Sequence, residues 1–208
     1  MSVAQSIGEG LHAMAIDLPS PDRDRLAAHL RLIEKWNRVH NLTAVREPGQ
    51  MVILHLLDSL SLLPHLGGAA TLIDIGAGPG FPGIPVAIAR PDIQVTLLDS
   101  SHKKCAFLEQ AKADLALANV EVVCERVEQY KSEERFDIVV SRAFANLSDF
   151  VTLSRHLVAP GGRLLAMKGV YPFEELARVP ASHRVAEVIE LAVPNLEAKR
   201  HLILLEAA

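Results

Sequence analysis

The sequence predicts an α/β fold: a doubly wound sheet, mostly parallel, finished by an antiparallel C-terminal hairpin and preceded by an N-terminal helical extension. Three observations carry this. From Thr71 onward, short β-branched runs alternate with stretches of helical period, the pattern of right-handed crossovers on a parallel sheet. A glycine-rich turn, Gly76-Ala-Gly78-Pro-Gly80, stands between the first of those runs and the helix after it. The last two runs are separated by a short polar stretch, too short for a crossover helix. The 208 residues, half of them apolar, suit one domain with a short appendage, and a mean hydropathy of +0.21 excludes a disordered chain. The change of rhythm sets the boundary: residues 1–70 form the extension packed on the core, and residues 71–208 the sheet domain.

In the extension, Ser20-Pro21 reads as an N-cap and first-turn pair, and Leu26, Leu30 and Ile33 follow on one face. That helix runs to about Val39, where His40-Asn41 ends it. Glu47-Pro48 opens another, with Val52, Leu56 and Leu60 along one stripe until Pro64 and Gly67-Gly68 break it. Thr71–Ile75 is the first strand, and the glycine turn leads into a helix ending near Arg90. Gln94–Leu98 is the second strand, and a helix from Ser101 to about Leu117 turns Phe107 and Leu108 inward. Val120–Cys124 and Phe136–Ser141 are the third and fourth strands. Arg163–Met167 is the fifth, introduced by a turn at Pro160-Gly161-Gly162. Val185–Val193 and His201–Glu206 make the terminal hairpin.

Charge and special residues narrow the function classes. Twenty-one Lys and Arg against 25 Asp and Glu give a net charge of −4, which argues against indiscriminate, charge-driven binding to a polyanion. The charges are nonetheless unevenly spread. Residues 121–137 carry six acids against three bases, whereas residues 138–173 carry Arg142, Arg155, Arg163 and Lys168 against Asp149 alone. Cys105 and Cys124 have no paired spacing, so neither a disulfide framework nor a zinc site is expected, and no His/Cys/Asp/Glu cluster has metal spacing. The first residues lack a cationic region followed by an apolar block, and Met51–Leu66 is interrupted by His55, Asp58 and Pro64. The expectation is a cytoplasmic monomer without metal or membrane partner.

The glycine turn is the strongest chemical signal. Asp74-Ile-Gly76-Ala-Gly78-Pro-Gly80 follows a strand and precedes a helix, where open α/β sheets bind ligands at the carboxyl ends of their strands. A dinucleotide fingerprint needs a third glycine where Phe81 stands, and a phosphate-binding P-loop needs a Gly-Lys-Ser/Thr ending that is absent. Asp99 closes the second strand some 20 residues on, the position of an acid that bonds ribose hydroxyls. Asp74 alternatively braces the loop, and Glu128, after the third strand, alternatively belongs to a solvated acidic run.

The form Asp-x-Gly-x-Gly-x-Gly with Asp99 and Glu128 resembles class I, Rossmann-like methyltransferases that use S-adenosylmethionine, and so does the terminal hairpin. In that class the first acid organises the amino-acid moiety of the cofactor, the second (with Ser100 beside it) meets the ribose, and a polar residue after the third strand reads the adenine. The Asn/Asp-Pro-Pro-aromatic motif of exocyclic-amine methyltransferases is absent after the fourth strand, where Ser141-Arg142-Ala143-Phe144-Ala145 stands. No cysteine lies there for cytosine C5 chemistry either.

A longer series is more specific: Lys35-Trp36-Asn37, Asn41-Leu42-Thr43, His55, Leu57-Asp58-Ser59, Gly76 to Pro85, Leu97-Leu98-Asp99-Ser100, Ser141-Arg142-Ala143-Phe144, Lys168-Gly169 and Arg200-His201-Leu202. Together they resemble the small-subunit ribosomal RNA methyltransferase G family, also called glucose-inhibited division protein B. The resemblance covers nearly the whole chain; Phe81 stands where leucine is frequent. It implies methyl transfer to N7 of one guanine in 16S rRNA, free or within the small-subunit particle, with cofactor contacts at Gly76, Phe81, Val127, Glu128 and Arg142. Guanine N7 is an unprotonated acceptor at neutral pH, so no general base is expected. A phosphate track of Arg142, Lys168, Lys199, Arg200 and His201, extended by Arg23, Arg31, Lys35 and Arg38, is the expected RNA contact. Trp36 reads as helix packing, with base stacking as the alternative, and His55 as a satisfied packing histidine.

Overall fold

The computed structural model describes residues 2–143 and 145–208; Phe144 of the quoted series lies outside them. Two helices open the chain, α1 (Val3–Ala13) and α2 (Ser20–Asn37). Leu26, Leu30 and Ile33 of α2 are buried, as their spacing requires. Its N-cap, however, is Pro19, with no side-chain cap bond, so Ser20 is the first helical residue and not the cap. The helix also stops short of Val39. The Asn37 side chain accepts hydrogen bonds from the amides of Leu42 (2.9 Å) and Thr43 (3.1 Å), and folds the chain back in place of a further turn. Arg46 locks this loop from the other side, donating to the Asn37 carbonyl at 2.9 Å and to Asn41 Oδ1 at 2.7 Å.

The helix opened by Glu47-Pro48 is not uniform. It comprises α3 (Pro48–Met51), a π-helical segment Val52–Leu57, and α4 (Asp58–Leu60). Val52, Leu56 and Leu60 are buried on one stripe. The wide π turn interrupts that regular face, a feature common at functional sites.

A seven-stranded sheet follows, in the order β3-β2-β1-β4-β5-β7-β6. Its strands are β1 (Thr71–Ile75), β2 (Gln94–Leu98), β3 (Val120–Val123), β4 (Phe136–Arg142), β5 (Val158–Lys168), β6 (His183–Leu191) and β7 (Arg200–Ala207). The first five run parallel, and β7 inserts antiparallel between β5 and β6. Helices α5 (Gly83–Ala89), α6 (His102–Asp114), α7 (Leu147–Ser154) and α8 (Phe173–Leu176) lie between β1 and β2, β2 and β3, β4 and β5, and β5 and β6 respectively. Pro160-Gly161-Gly162 is not a turn before the fifth strand. Phe136 pairs with Val158 and Ile138 with Arg163, so the extra residues form a bulge inside a longer strand. Asp137, one of the six acids of residues 121–137, staples the start of β1 to β4 at the centre of the sheet: its Oδ2 accepts from the amides of Ala70 and Thr71 at 2.8 and 3.0 Å.

The strand order reverses between β1 and β4, which opens a crevice at their carboxyl ends. One face of the sheet shares a continuous core with the N-terminal helices, joining Ile7, Leu26, Ile33 and Leu60 to Leu72, Val95 and Ile138. The other face packs Phe150, Val151 and Leu157 against Ile73, Val139 and Leu164. Trp36 meets Phe107 of α6 edge-on at 5.5 Å and so takes the packing role.

At the centre of the first interface lies His29, fully buried. Its Nε2–H donates to the Pro79 carbonyl at 2.8 Å, and its ring sits 4.8 Å from that of Phe81. Burial pushes its pKa down to about 4. The unfolded chain therefore binds a proton there from pH 6.5 downward that the folded chain refuses, and this stability is lost as the pH falls toward 4. Replacing His29 with Gln, which keeps a donor without a titrating ring, should remove about 1.4 kcal/mol per pH unit from the slope of unfolding free energy between pH 4.5 and 6. Denaturant melts of both proteins across that range test this; parallel profiles would refute it.

Candidate active site

The crevice is built from the loop between β1 and α5. Asp74, one residue before the end of β1, is fully buried, and its Oδ2 accepts from the Gly83 amide at 2.8 Å, the first residue of α5. Desolvation raises its pKa to about 7, opposed by that hydrogen bond and by the charge of Arg142. A Cβ at Gly83 would collide with Leu97 and crowd the Asp74 carboxylate, so the strand and helix approach this closely only with glycine there. Asp74 thus acts as the loop brace. Its second oxygen, Oδ1, is buried without a partner among the described residues, as is the Ser141 hydroxyl.

The loop itself carries positive φ at Gly76, Gly78 and Gly80. At Gly80, with φ +88°, a side chain would also strike Ile84. The Gly76 and Ala77 amides donate to the Leu98 carbonyl, and the Gly78 amide donates to Asp99 Oδ2 at 3.0 Å. Asp99 Oδ1 accepts from the Ser101 amide at 2.9 Å, and Lys104 Nζ lies 3.4 Å from Oδ2. Asp99 therefore ties the end of β2 to the glycine loop.

Two cavities meet over this loop, sharing Gly76, Lys104 and Ala143. The smaller, about 350 Å³, brings together Asp99, Ser100, Val127 and Glu128. Val127 is buried, while Glu128 is exposed with Arg126 at 3.7 Å. The larger, about 700 Å³, runs from Gly76, Gly78 and Phe81 past Arg142 to Lys168, Arg200 and His201. Phe81 is buried beneath Arg142, whose guanidinium carbon is 5.2 Å from the ring centre. The arrangement suits an elongated ligand, with a diol and a base in the small lobe and a charged chain crossing the loop into the large one. Among the described residues no group of three or more His, Cys, Asp or Glu can hold a metal ion, and no helix is long and apolar enough to cross a membrane.

Gly80, like Asp74, braces the loop and does not line either cavity. The expected phosphate track is less continuous than the charge count suggests. Lys168 lines the large lobe but donates to Glu175 and to the Ala145 carbonyl, each at 2.8 Å. Lys199 lies outside the lobe and pairs with Glu190 at 3.0 Å. A window ending at Phe173 leaves out Glu174 and Glu175, which follow at once. Arg23, Arg31, Lys35 and Arg38 are exposed on α2 and its end, and Arg38 lies 3.6 Å from Glu34.

The sequence reading missed Thr43, Asp58 and Lys104 as lining residues. His55 packs, 5.0 Å from the Phe81 ring and bonded to Thr43 Oγ1 at 2.8 Å, but it also lines the large lobe. Burial and the charge of Arg142 lower its pKa to about 4, so it is neutral at pH 7. The available signal was a charge inside an apolar run: Asp58 amid Leu56, Leu57 and Leu60 announces a buried, paired carboxylate.

Comparison with known proteins bears on the fold and on the family. The O-methyltransferase TomG from Streptomyces achromogenes, solved in complex with S-adenosylmethionine, superposes with a TM-score of 0.61 at 16% identity, over 100% of this chain and 99% of that one. A glycopeptide N-methyltransferase, MtfA, also reaches 0.61, at 13% identity over 78% and 100% of the two chains. These likenesses are of fold alone. In sequence, the ribosomal RNA small subunit methyltransferase G of Chromobacterium violaceum is 53% identical over 195 residues, 94% of this chain and 93% of the relative. That of Nitrosospira multiformis is 51% identical over 215 aligned residues, 100% of this chain and 99% of the relative. The family model described as rRNA small subunit methyltransferase G matches residues 22–203, and the chain belongs to that family.

Proposed function

We propose that this chain transfers a methyl group from S-adenosylmethionine to small-subunit ribosomal RNA, the acceptor being N7 of one guanine in 16S rRNA. It acts as a cytoplasmic monomer. Residues 71–208 are the methyltransferase domain, and residues 1–70 are an extension that completes the acceptor side. The observation that carries the reading is the two-lobed cavity over the glycine loop, with Asp74 of β1 beneath it, Asp99 at the end of β2 lining the small lobe, and a large open lobe beside Arg142. Family membership supports the acceptor.

The residues present fit the cofactor. Asp99, Ser100, Val127 and Glu128 surround the lobe for adenosine, Asp99 meeting the ribose and Glu128 the adenine edge. Gly76, Gly78 and Phe81 line the passage for the methionine chain, which Gly80 keeps in shape. The orphaned oxygens of Asp74 and Ser141 are unspent polar atoms beneath it. When bound, S-adenosylmethionine supplies an electrophilic methyl on a sulfonium.

The protein's part is to bind, align and exclude water. Guanine N7 carries a free lone pair, so no side chain has to remove a proton before attack. Among the described residues nothing in the large lobe is poised as a base: His55 is bonded to Thr43, and both oxygens of Asp58 are engaged by arginines. Arg142 pressed on N7 would oppose the positive charge developing on the base. With Nη1 already held by Asp58 and the Leu54 carbonyl, it serves as a fixed cation beside the reacting groups. Lys168, Lys199, Arg200 and His201 contribute an RNA rim of limited net charge, so target choice rests on shape.

Label from methyl-labelled cofactor should appear in RNA when small-subunit particles, total RNA and protein extract are offered together, and should map to a single guanine. Label confined to protein or small molecules would overturn the reading. Asp99→Asn should weaken cofactor binding by about 10-fold or more, since charge-assisted hydrogen bonds to the ribose contribute roughly 1.5–3 kcal/mol. Calorimetry measures this directly.

The pH dependence has a definite sign. With no base to ionise, the rate should be level from pH 7.5 to 8.5. Below pH 7 the Asp74 carboxyl, raised to about 7, takes up a proton, and the site loses a negative charge that favours a cationic cofactor. Cofactor affinity should therefore fall as the pH is lowered from 7.5 to 6, and Asp74→Asn should bind more weakly with a flat profile. An unchanged slope in that variant would remove Asp74 from the account.

A further inference from the structure

The large lobe holds an unbalanced charge. Lys104, Arg142, Lys168 and Arg200 line it, and among the described residues Asp58 is its only carboxylate. Lys104 is answered by Asp99 and Lys168 by Glu175, both at the margins. The two arginines are left to share Asp58. Arg142 Nη1 lies 3.1 Å from Asp58 Oδ2, and Arg200 Nε lies 3.1 Å from Oδ1. Asp58 is 3% exposed, and the side chains of Arg142 and Arg200 only 17% and 20%. One carboxylate with both oxygens occupied thus holds two largely buried guanidiniums.

Further contacts make this a built site. Arg142 Nη1 also donates to the Leu54 carbonyl, and Arg200 Nη1 to the Lys199 carbonyl, each at 3.1 Å. Arg142 Nη2 lies 3.4 Å from His55 Nδ1, while Arg200 Nη2 and Arg142 Nε make no hydrogen bond among the described residues. In direct contact the two guanidiniums meet one carboxylate, with Asp74 acting on Arg142 only through its field, and a planar guanidinium fork with open donors matches an oxyanion. Asp58 reaches this place on α4, directly after the π-helical segment, and joins the extension to β4 and β7.

We propose that Asp58 is a positioning residue that assembles Arg142 and Arg200 into a two-guanidinium oxyanion site in the large lobe. The inference rests on the function proposed above. That function supplies two oxyanions, the carboxylate of the cofactor's methionine moiety and a phosphate of the RNA.

The test compares Asp58→Asn, Arg200→Gln, and the double variant with the unaltered chain. Binding of S-adenosylhomocysteine, which carries the carboxylate, is measured beside 5′-methylthioadenosine, which lacks it. KM and kcat for unmethylated small-subunit particles are measured from low to moderate salt. For the carboxylate, both single variants weaken S-adenosylhomocysteine by about tenfold or more and leave 5′-methylthioadenosine unchanged. For the phosphate, S-adenosylhomocysteine binding holds while KM for particles rises at constant kcat, and the salt dependence loses roughly one phosphate's share. In either case the double variant is little worse than a single one, because both members act through one unit. The proposal is overturned if neither ligand nor particle binding changes, or if both small ligands weaken together. Should Asp58→Asn fail to fold, Arg200→Gln alone decides between these outcomes. A chain that methylates no RNA refutes the proposed function, yet the pair of small ligands still tests the carboxylate arm.

Discussion

The contact between the Asp74 carboxylate and the Gly83 amide sets the geometry of everything above it. It fastens the end of β1 to the first turn of α5, and it does so in the protein interior, where the carboxyl pays for burial with a raised pKa. Between these two points the chain must make a turn whose glycines take positive φ and keep their Cα atoms bare. Asp99 then pulls the same turn toward β2 through Gly78. Two carboxylates from neighbouring strands thus hold one loop, and that loop is the common wall of both lobes.

The N-terminal helices are the second determinant, and they are more than an appendage to the sheet. His29 reaches from α2 to the Pro79 carbonyl, so the outer helix is bonded to the glycine loop itself. Asn37 folds the following loop so that Thr43 meets His55, and His55 lies against Phe81. The π-helical segment and α4 then deliver Asp58 between Arg142 and Arg200. The large lobe of the cavity is consequently assembled from residues 42–58, the glycine loop, and the ends of β4, β5 and β7. Loss of the extension would leave a sheet able to shape the smaller lobe but not the larger one.

Legibility in the sequence followed the range of the interactions concerned. Strand and helix alternation, the glycine turn, and the acids at positions 74 and 99 were readable because each is a short local pattern with a backbone reason behind it. Expectation and structure part where a contact formed on folding overrides the local pattern. Asn37 ended α2 before Val39, and Pro160-Gly161-Gly162 became a bulge because β5 extends past it to pair with Phe136. The free positive charge near the site is smaller than the sequence suggests for a similar reason. A count of bases along the chain cannot see that Lys168 meets Glu175 and Lys199 meets Glu190.

By itself, then, the sequence determined the doubly wound sheet, its hairpin finish, the ligand-binding loop and the class of cofactor the loop suits. These are properties of residue spacing, and spacing acts over a few residues. The tertiary structure alone decided which charges are neutralised and which remain to meet a ligand. Asp58 finds its partners 84 and 142 residues away, and Asp137 is consumed by amides 66 and 67 residues away. The physical reason is that an ionised group's contribution depends on burial and on what stands within a few ångströms of it. Those distances exist only once the chain has folded.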